Sequence, residues 1–301
     1  MRIVFLGTPD FSVSCLDALI KSKHEVIAVV TQPDKARNRM VVSYSPVKQC
    51  ALDNNIKVLQ YEKIRKEGVE DLKALNPDLM VTCAYGQIIS QEILDIAKYG
   101  VINVHASLLP KYRGSAPIQW AIINGEKETG ITIMQTALGV DSGDIILQKK
   151  VEIKENETAG ELFDDLSKIA PSVLMEAIDL IESGKATFTK QDENEATHFP
   201  MLNKEFGHIN WEDNGASIIN KIYGLNPWPS AYGMVDGKLF KIYSASFIEA
   251  THNETLGLVN GNKVYCKDGY VELKEVQIEG KKRMSYDEFT RGFTLDGKVI
   301  D

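Results

Sequence analysis

A doubly wound α/β domain followed by a small β-barrel of the OB type is the fold this sequence predicts, and three observations carry it. Short apolar runs alternate with helix-like segments through the first half; a long helical segment and a polar stretch follow; the remainder strings short alternating runs between turn residues. At 301 residues and 44% hydrophobic content, each of two domains has enough apolar side chains for a core.

RIVFLG leads into FSVSCLDALIKS, EVIAVVT into SPVKQCALDNN, and GVINVH into APIQWAIIN, with the strand-like DLMVTCAYG between them. This order predicts a largely parallel sheet with helices on both faces, whose sites form at the carboxyl ends of the strands. Thr8 and Pro9 read as a helix cap and a first-turn proline. TGITIMQTA and DIILQKKVEI, joined by LGVDSG, read as an antiparallel hairpin. A long helix then starts at a capping box from Thr158 to Glu161, and Pro171 predicts a bend within it. The polar run KQDENEATHF marks a linker, giving an organisation of 1–188, a linker at 189–205, and 206–301. Beyond it HINW, a helix at GASIINKIYGL, the turn NPWP and runs such as KLFKIYSASF and YVELKEVQI predict the barrel.

Composition excludes several function classes. With 34 basic and 42 acidic side chains the formal charge is -8, so nonspecific coating of nucleic acid is excluded and any such contact uses local patches. Cys15, Cys50, Cys83 and Cys266 form no C-x-x-C pair, which points to reduced thiols rather than disulfides or zinc. No run of about 20 apolar residues and no signal peptide is evident, so a soluble cytoplasmic protein is expected. GTPDF lacks the later glycines of a dinucleotide fingerprint, and no phosphate-binding loop, G-x-S-x-G turn or metal-spaced cluster occurs.

Chemistry concentrates in NVHASLLPKYRG. In an extended strand alternate side chains share a face, so Asn103 and His105 point the same way at the strand's carboxyl end. A carboxamide can donate to a carbonyl oxygen that is gaining charge, and an imidazole can exchange protons near neutrality, a pairing suited to acyl-type transfer. The same two residues would also serve as polar caps of the strand. What favours chemistry is Asp141, set between Gly139 and Gly143 in a turn from which a carboxylate can fold back to orient His105.

Together with TQPD, SPVK, AYGQI, ETGITIM, GVDSGD, INW and NPWP, this stretch resembles the methionyl-tRNA formyltransferase branch of the folate-dependent formyltransferase superfamily, from end to end of the chain. The resemblance implies a Rossmann-like domain that binds 10-formyltetrahydrofolate and an OB-like domain that helps to hold initiator methionyl-tRNA. It implies Asn103, His105 and Asp141 as catalytic residues, no metal, and a monomeric enzyme. For the folate it points to Ser107, Leu108, Leu109 and Pro110, with Tyr85, Gly86, Gln87 and Asp144 along the pterin side. For tRNA it points to Lys35, Arg37 and Arg39 in an insertion, KARNRMVVSY, that lacks the family's usual glycines, and Lys281, Lys282 and Arg283 form a second basic patch. Lys111 and Arg113 face either an anionic substrate or solvent. A sugar-nucleotide N-formyltransferase shares the core motif, but TQPD, INW and NPWP favour tRNA. A noncatalytic RNA-binding module would not need Asn103, His105 and Asp141 together.

Overall fold

Every position of Arg2–Gly7 (β1) after the first is buried, the pattern of a central strand covered on both faces. In the computed structural model the described residues are 1–34 and 44–301 in full and, between them, the main chain of Ala36–Arg37 and Val41–Val42. After β1 come α1 (Asp10–Ile20), β2 (Glu25–Thr31), β3 (Ala36–Arg37), β4 (Val41–Val42), α2 (Pro46–Asp53), β5 (Val58–Gln60), α3 (Ile64–Glu67), α4 (Val69–Leu75), β6 (Leu79–Cys83) and α5 (Gln91–Leu94). The chain continues through β7 (Val101–His105), β8 (Arg113–Gly114), α6 (Pro117–Ile123), β9 (Glu128–Gln135), β10 (Ile145–Glu152), α7 (Ala159–Glu182) and β11 (His198–Phe199).

One sheet orders seven of these strands as β10-β9-β7-β6-β1-β2-β5. β1 pairs in parallel with both β2 and β6, β2 with β5, and β6 with β7, while β9 runs antiparallel to β7. The chain leaves β1 in one direction for β2 and β5, then returns to build β6 and β7 on its other edge. That reversal opens a crevice beyond the carboxyl ends of β1 and β6, where sites form in such sheets. Val4, Leu6, Ala28, Val30, Met80 and Val101 belong to one buried cluster that fixes the sheet beneath it.

One local expectation is corrected. Pro9 itself occupies the cap of α1 without a side-chain hydrogen bond, and Thr8 Oγ1 instead accepts from Gln32 N–H at 3.2 Å, tying the end of β1 to the segment after β2. The capping box does open α7, with Thr158 N–H donating to Glu161 Oε2 at 2.9 Å and Glu161 N–H to Thr158 Oγ1 at 3.1 Å. The helix then runs through Pro171 as one element, because buried Leu166, Ala170, Val173, Leu174 and Ala177 hold both halves of its apolar stripe in place.

The chain divides into two compact units that are not contiguous in sequence. One comprises Met1–Gly114, Thr129–Val151 and Phe163–His198, the other Ser115–Glu128, Glu152–Leu162 and Phe199–Asp301. This differs from a single division between 188 and 206: α6 packs with the second unit, and the polar segment through His198, expected as a linker, belongs to the first. No helix among the described residues is long and apolar enough to cross a membrane.

In the second unit α8 (Gly215–Gly224) and α9 (Tyr286–Thr290) accompany β12 (Ala231–Val235), β13 (Lys238–Glu249), β14 (Val259–Asn260), β15 (Lys263–Cys266), β16 (Gly269–Ile278) and β17 (Met284–Ser285). The order is β12-β13-β16-β15-β14, with β17 beside β16. Register shifts between Ile242 and Ala245 bend the long β13, as a closing sheet requires. The two outer strands are joined by residues 297–301. Met234 and Asp301 exchange both backbone hydrogen bonds, at 3.1 and 3.0 Å, while Val259 N–H donates to Lys298 O at 2.8 Å and Ile300 N–H to Gly257 O at 2.9 Å. The barrel is thus closed by this tail, whose own Ile300 is fully buried. Gly257 has φ +81° and a Cβ there would lie 2.3 Å from Ile300 O. Gly257→Ala is therefore expected to destabilise the second unit by more than about 1 kcal/mol, the least that a left-handed non-glycine residue costs, and chemical denaturation measures it.

Candidate active site

The carboxyl ends of β6 and β7 supply the first side chains of the site. In the parallel register Thr82 stands beside Asn103, so their side chains share a face. Thr82 Oγ1 donates to Asn103 Oδ1 at 2.8 Å, and Asn103 Nδ2 faces Asp141 Oδ1 at 3.5 Å. The carboxylate dictates that orientation, since the opposite flip would set two acceptors against each other. Thr82 was not singled out in the sequence; its signal is a lone polar residue near the end of an otherwise apolar strand.

His105 is 6% exposed. Its Nε2 lies 2.8 Å from Tyr112 O, which only accepts, so Nε2 carries a proton and Nδ1 is the exchangeable position. Nδ1 faces Asp141 Oδ2 at 3.6 Å. Asp141 Oδ2 also accepts from Gly114 N–H at 2.8 Å, a charge-assisted bond that anchors the carboxylate between the 112–114 segment and β7. Asp141, Asn103 and His105, separated by up to 38 positions in sequence, therefore meet at one point.

The backbone around them is unusual. Tyr112 has φ +62° and Asp141 φ +47°, a left-handed conformation that costs a non-glycine residue about 1–2 kcal/mol and persists where neighbours hold it. Tyr112 is held by its N–H donating to Thr197 Oγ1 at 2.8 Å, and Arg113 N–H donates to Thr197 O at 2.9 Å. The glycine before the Asp144 position has a steric reason: a Cβ on Gly143 would fall 1.6 Å from Gln135 O.

The expected folate residues divide by where their side chains point. Leu108 and Pro110 are half-buried, but Leu109 is 3% exposed and belongs to the core. Ser107 is fully buried, its hydroxyl donating to Lys111 O at 2.8 Å. Thr132 organises this loop by donating to Ser107 O at 2.6 Å and accepting from Leu109 N–H and Gln148 Nε2. The ring of Tyr85 lies in the sheet's apolar cluster, where burial pushes its hydroxyl's pKa up. The side chains of Ser107, Leu109 and Tyr85 are thus buried, and their carbonyls accept from Thr132, Gln148 and Gln32. Gly86 is exposed with φ +80°. Gln87 is taken up by Ile64 N–H, Tyr61 O and Gln32, which pins the 84–90 loop. Asp144 is half-buried, and among the described residues its carboxylate has no partner.

The motifs TQPD and SPVK meet through Asp34 and Lys48, which form an ion pair joined by Gln60, at 2.9 Å from Lys48 Nζ and 3.1 Å from Asp34 Oδ1. Burial raises the Asp34 carboxyl, but the bonds from Lys48 and Gln60 outweigh it and hold its pKa below the ordinary value. Lys35 and Arg39 lie outside the described residues, and of Arg37 only the main chain in β3 is described. In the second unit Lys281 and Lys282 are exposed, whereas Arg283 pairs with Glu275 and stacks 4.2 Å from the Tyr243 ring centroid. Arg113 is neither solvated nor open to substrate: it is 2% exposed and pairs with Glu193. Among the described residues one cluster has metal-ligand spacing, His24 with Asp179 and Glu182, and there Lys23 Nζ already supplies the cation, 3.1 and 2.8 Å from the two carboxylates.

Two family models match the chain. Residues 1–178 match the formyl transferase model and residues 201–294 the formyl transferase C-terminal domain model. A methionyl-tRNA formyltransferase of Agathobacter rectalis is 48% identical, over 97% of this chain and 96% of its own. Another, of Caldanaerobacter subterraneus subsp. tengcongensis, is 47% identical over the whole of both chains. The chain belongs to the methionyl-tRNA formyltransferase family. The fold of the family extends to sugar formyltransferases: the N-formyltransferase of Helicobacter canadensis, solved with folinic acid and dTDP-3-aminofucose, superimposes with a TM-score of 0.70 at 21% identity, covering 91% of this chain and 99% of that one. A sugar 3N-formyl transferase solved with dTDP and 5-N-formyl-THF gives 0.68 at 24% identity, covering 94% and 99%.

Thr82 meets Asn103 through one hydroxyl. Thr82→Val keeps its shape and frees the Asn103 amide, so turnover in a formyl-transfer assay is expected to fall about tenfold, the scale of a misoriented catalytic group, with an unchanged melting temperature.

Proposed function

We propose that this chain transfers the formyl group of 10-formyltetrahydrofolate to the α-amine of initiator methionyl-tRNA, in the cytoplasm. The observation that carries the reading is the meeting of Asn103, His105 and Asp141 at the carboxyl edge of the sheet, in a chain of that family. The free carboxylate of Asp144 and the half-buried Leu108 and Pro110 support a crevice for the pterin, with Ser107, Leu109, Tyr85 and Gly86 lining it through main chain.

The α-amine needs little activation, since an ordinary one has a pKa of about 7.7–8.0 and an esterified neighbour lowers it. The site's task is to position it. As the amine attacks the formyl carbon, Asn103 Nδ2 donates to the oxygen that gains charge. The His105–Asp141 pair accepts the amine proton and returns it to N10 as the bond from N10 to the formyl carbon breaks. The first unit performs this chemistry. Lys35, Arg37 and Arg39, with Lys281, Lys282 and Arg283, meet phosphates of the tRNA, Arg283 exchanging its partner Glu275 for a phosphate.

The test incubates the protein with 10-formyltetrahydrofolate and charged initiator methionyl-tRNA and measures formylmethionine. Formylation is expected, and His105→Ala is expected to lower turnover about 10²–10⁴-fold, the usual worth of a proton-transfer group. Product made only from an amino-sugar nucleotide would sink the reading. For the insertion, changing Arg37 and Arg39 to alanine is expected to raise KM for tRNA and flatten its salt dependence by about two phosphate contacts. KM for the folate stays as it was; unchanged tRNA kinetics would count against these contacts.

A further inference from the structure

Asp141 is gripped at its carboxylate by Gly114 N–H, and its backbone is gripped separately by the segment the sequence marks as a linker. Thr189 exchanges backbone hydrogen bonds with Ile145 at 2.9 and 2.8 Å, which lays the segment along the start of β10. Gln191 then reaches into the turn, donating from Nε2 to Asp141 O at 2.9 Å and to Gly143 O at 2.7 Å. Its Oε1 accepts from Arg113 Nε at 2.9 Å. The amide has one possible orientation, because carbonyls only accept and a guanidinium only donates. Behind it Arg113 Nη1 and Nη2 form a two-bond fork with Glu193 at 2.9 and 2.8 Å. Arg113 is 2% exposed and Glu193 is 70% exposed, so the fork lies at the protein surface with its cation inside. The Arg113 guanidinium holds the Glu193 carboxyl below the usual carboxylate range.

We propose that Gln191, backed by the Arg113–Glu193 pair, is a positioning residue for formyl transfer: it locks the 141–143 turn so that the Asp141 carboxylate stays opposed to His105 and Asn103. The inference rests on the functional reading above. Arg113 and Gly114 are consecutive, so one short segment binds the Asp141 carboxylate directly and its backbone through Gln191. Removing the amide frees a left-handed turn whose carboxylate is 3.6 Å from His105 Nδ1, where a small drift breaks the opposition. Gln191 touches no reacting atom; its effect passes through Asp141.

Single-turnover formylation by Gln191→Leu is expected to be about tenfold to a hundredfold slower, the scale of a displacement near 1 Å at a catalytic group, with KM for 10-formyltetrahydrofolate unchanged. In an Asp141→Ala background the same substitution is expected to cause no further loss, because the group it positions is gone. An equal loss in both backgrounds would mark a merely structural role and overturn the inference, as would an active wild type with unaltered Gln191→Leu turnover. A wild type that does not formylate methionyl-tRNA overturns the functional reading and this inference with it. Should Gln191→Leu fail to fold, Glu193→Gln replaces the test at an exposed position: turnover about threefold lower, again only when Asp141 is present, is expected from weakening a charge-assisted fork. Unchanged turnover in Glu193→Gln would then overturn the proposal.

Discussion

One carboxylate organises the site. Asp141 lies on a turn between two strands, in a backbone conformation that a non-glycine residue adopts only under constraint, and it receives Gly114 N–H at 2.8 Å. Because that bond is charge-assisted and shielded, it ties the 112–114 segment to the 136–144 turn more firmly than a neutral bond would. The same tie brings Tyr112 O against His105 Nε2, so the ring's proton inventory follows from where the carboxylate sits. The sheet beneath supplies the fixed side: Thr82 and Asn103 are in register on adjacent parallel strands, and their mutual bond aims one amide hydrogen donor at the crevice.

Polar side chains around the site tie its loops together. Thr132 donates to Ser107 O and receives Leu109 N–H and Gln148, Gln87 holds Ile64 N–H and Tyr61 O, and Gln60 joins Asp34 to Lys48. Each of these amides and hydroxyls fixes a loop at the carboxyl edge of the sheet, where loops would otherwise move. Rigid loops around a small reacting group favour catalysis by orientation, which is what a reaction with an already nucleophilic amine needs. The second unit solves a different problem. Its outer strands are bridged by residues 297–301, so a short antiparallel sheet closes without leaving an edge open to pairing with another chain.

Much of this was legible in the sequence, for identifiable reasons. The buried strand β1 and the alternation of strands and helices follow from patterns that water imposes on any chain, and the capping box at Thr158 is a local contact four residues long. Asn103 and His105 were legible because strand geometry puts them on one face. Thr8 was misread because a threonine before a proline fits a helix cap, and its actual partner, Gln32, is distant in sequence. That Leu109, Ser107 and Tyr85 turn their side chains inward was not legible, since side-chain direction in a loop depends on Thr132, Gln148 and the apolar cluster, none of which adjoins them in the chain.

By itself the sequence determined the fold class, the family and the pair at the end of β7, since these depend on periodicity, local geometry and motifs that lie along the chain. Only the tertiary structure decided what Arg113 and the polar run after residue 188 do. Read along the chain, a basic residue beside a loop and a charged tract look solvated. Folded, they become a buried guanidinium, its surface carboxylate and an amide clasp on Asp141, because a fork of this kind forms only once segments 80 positions apart come within hydrogen-bond reach.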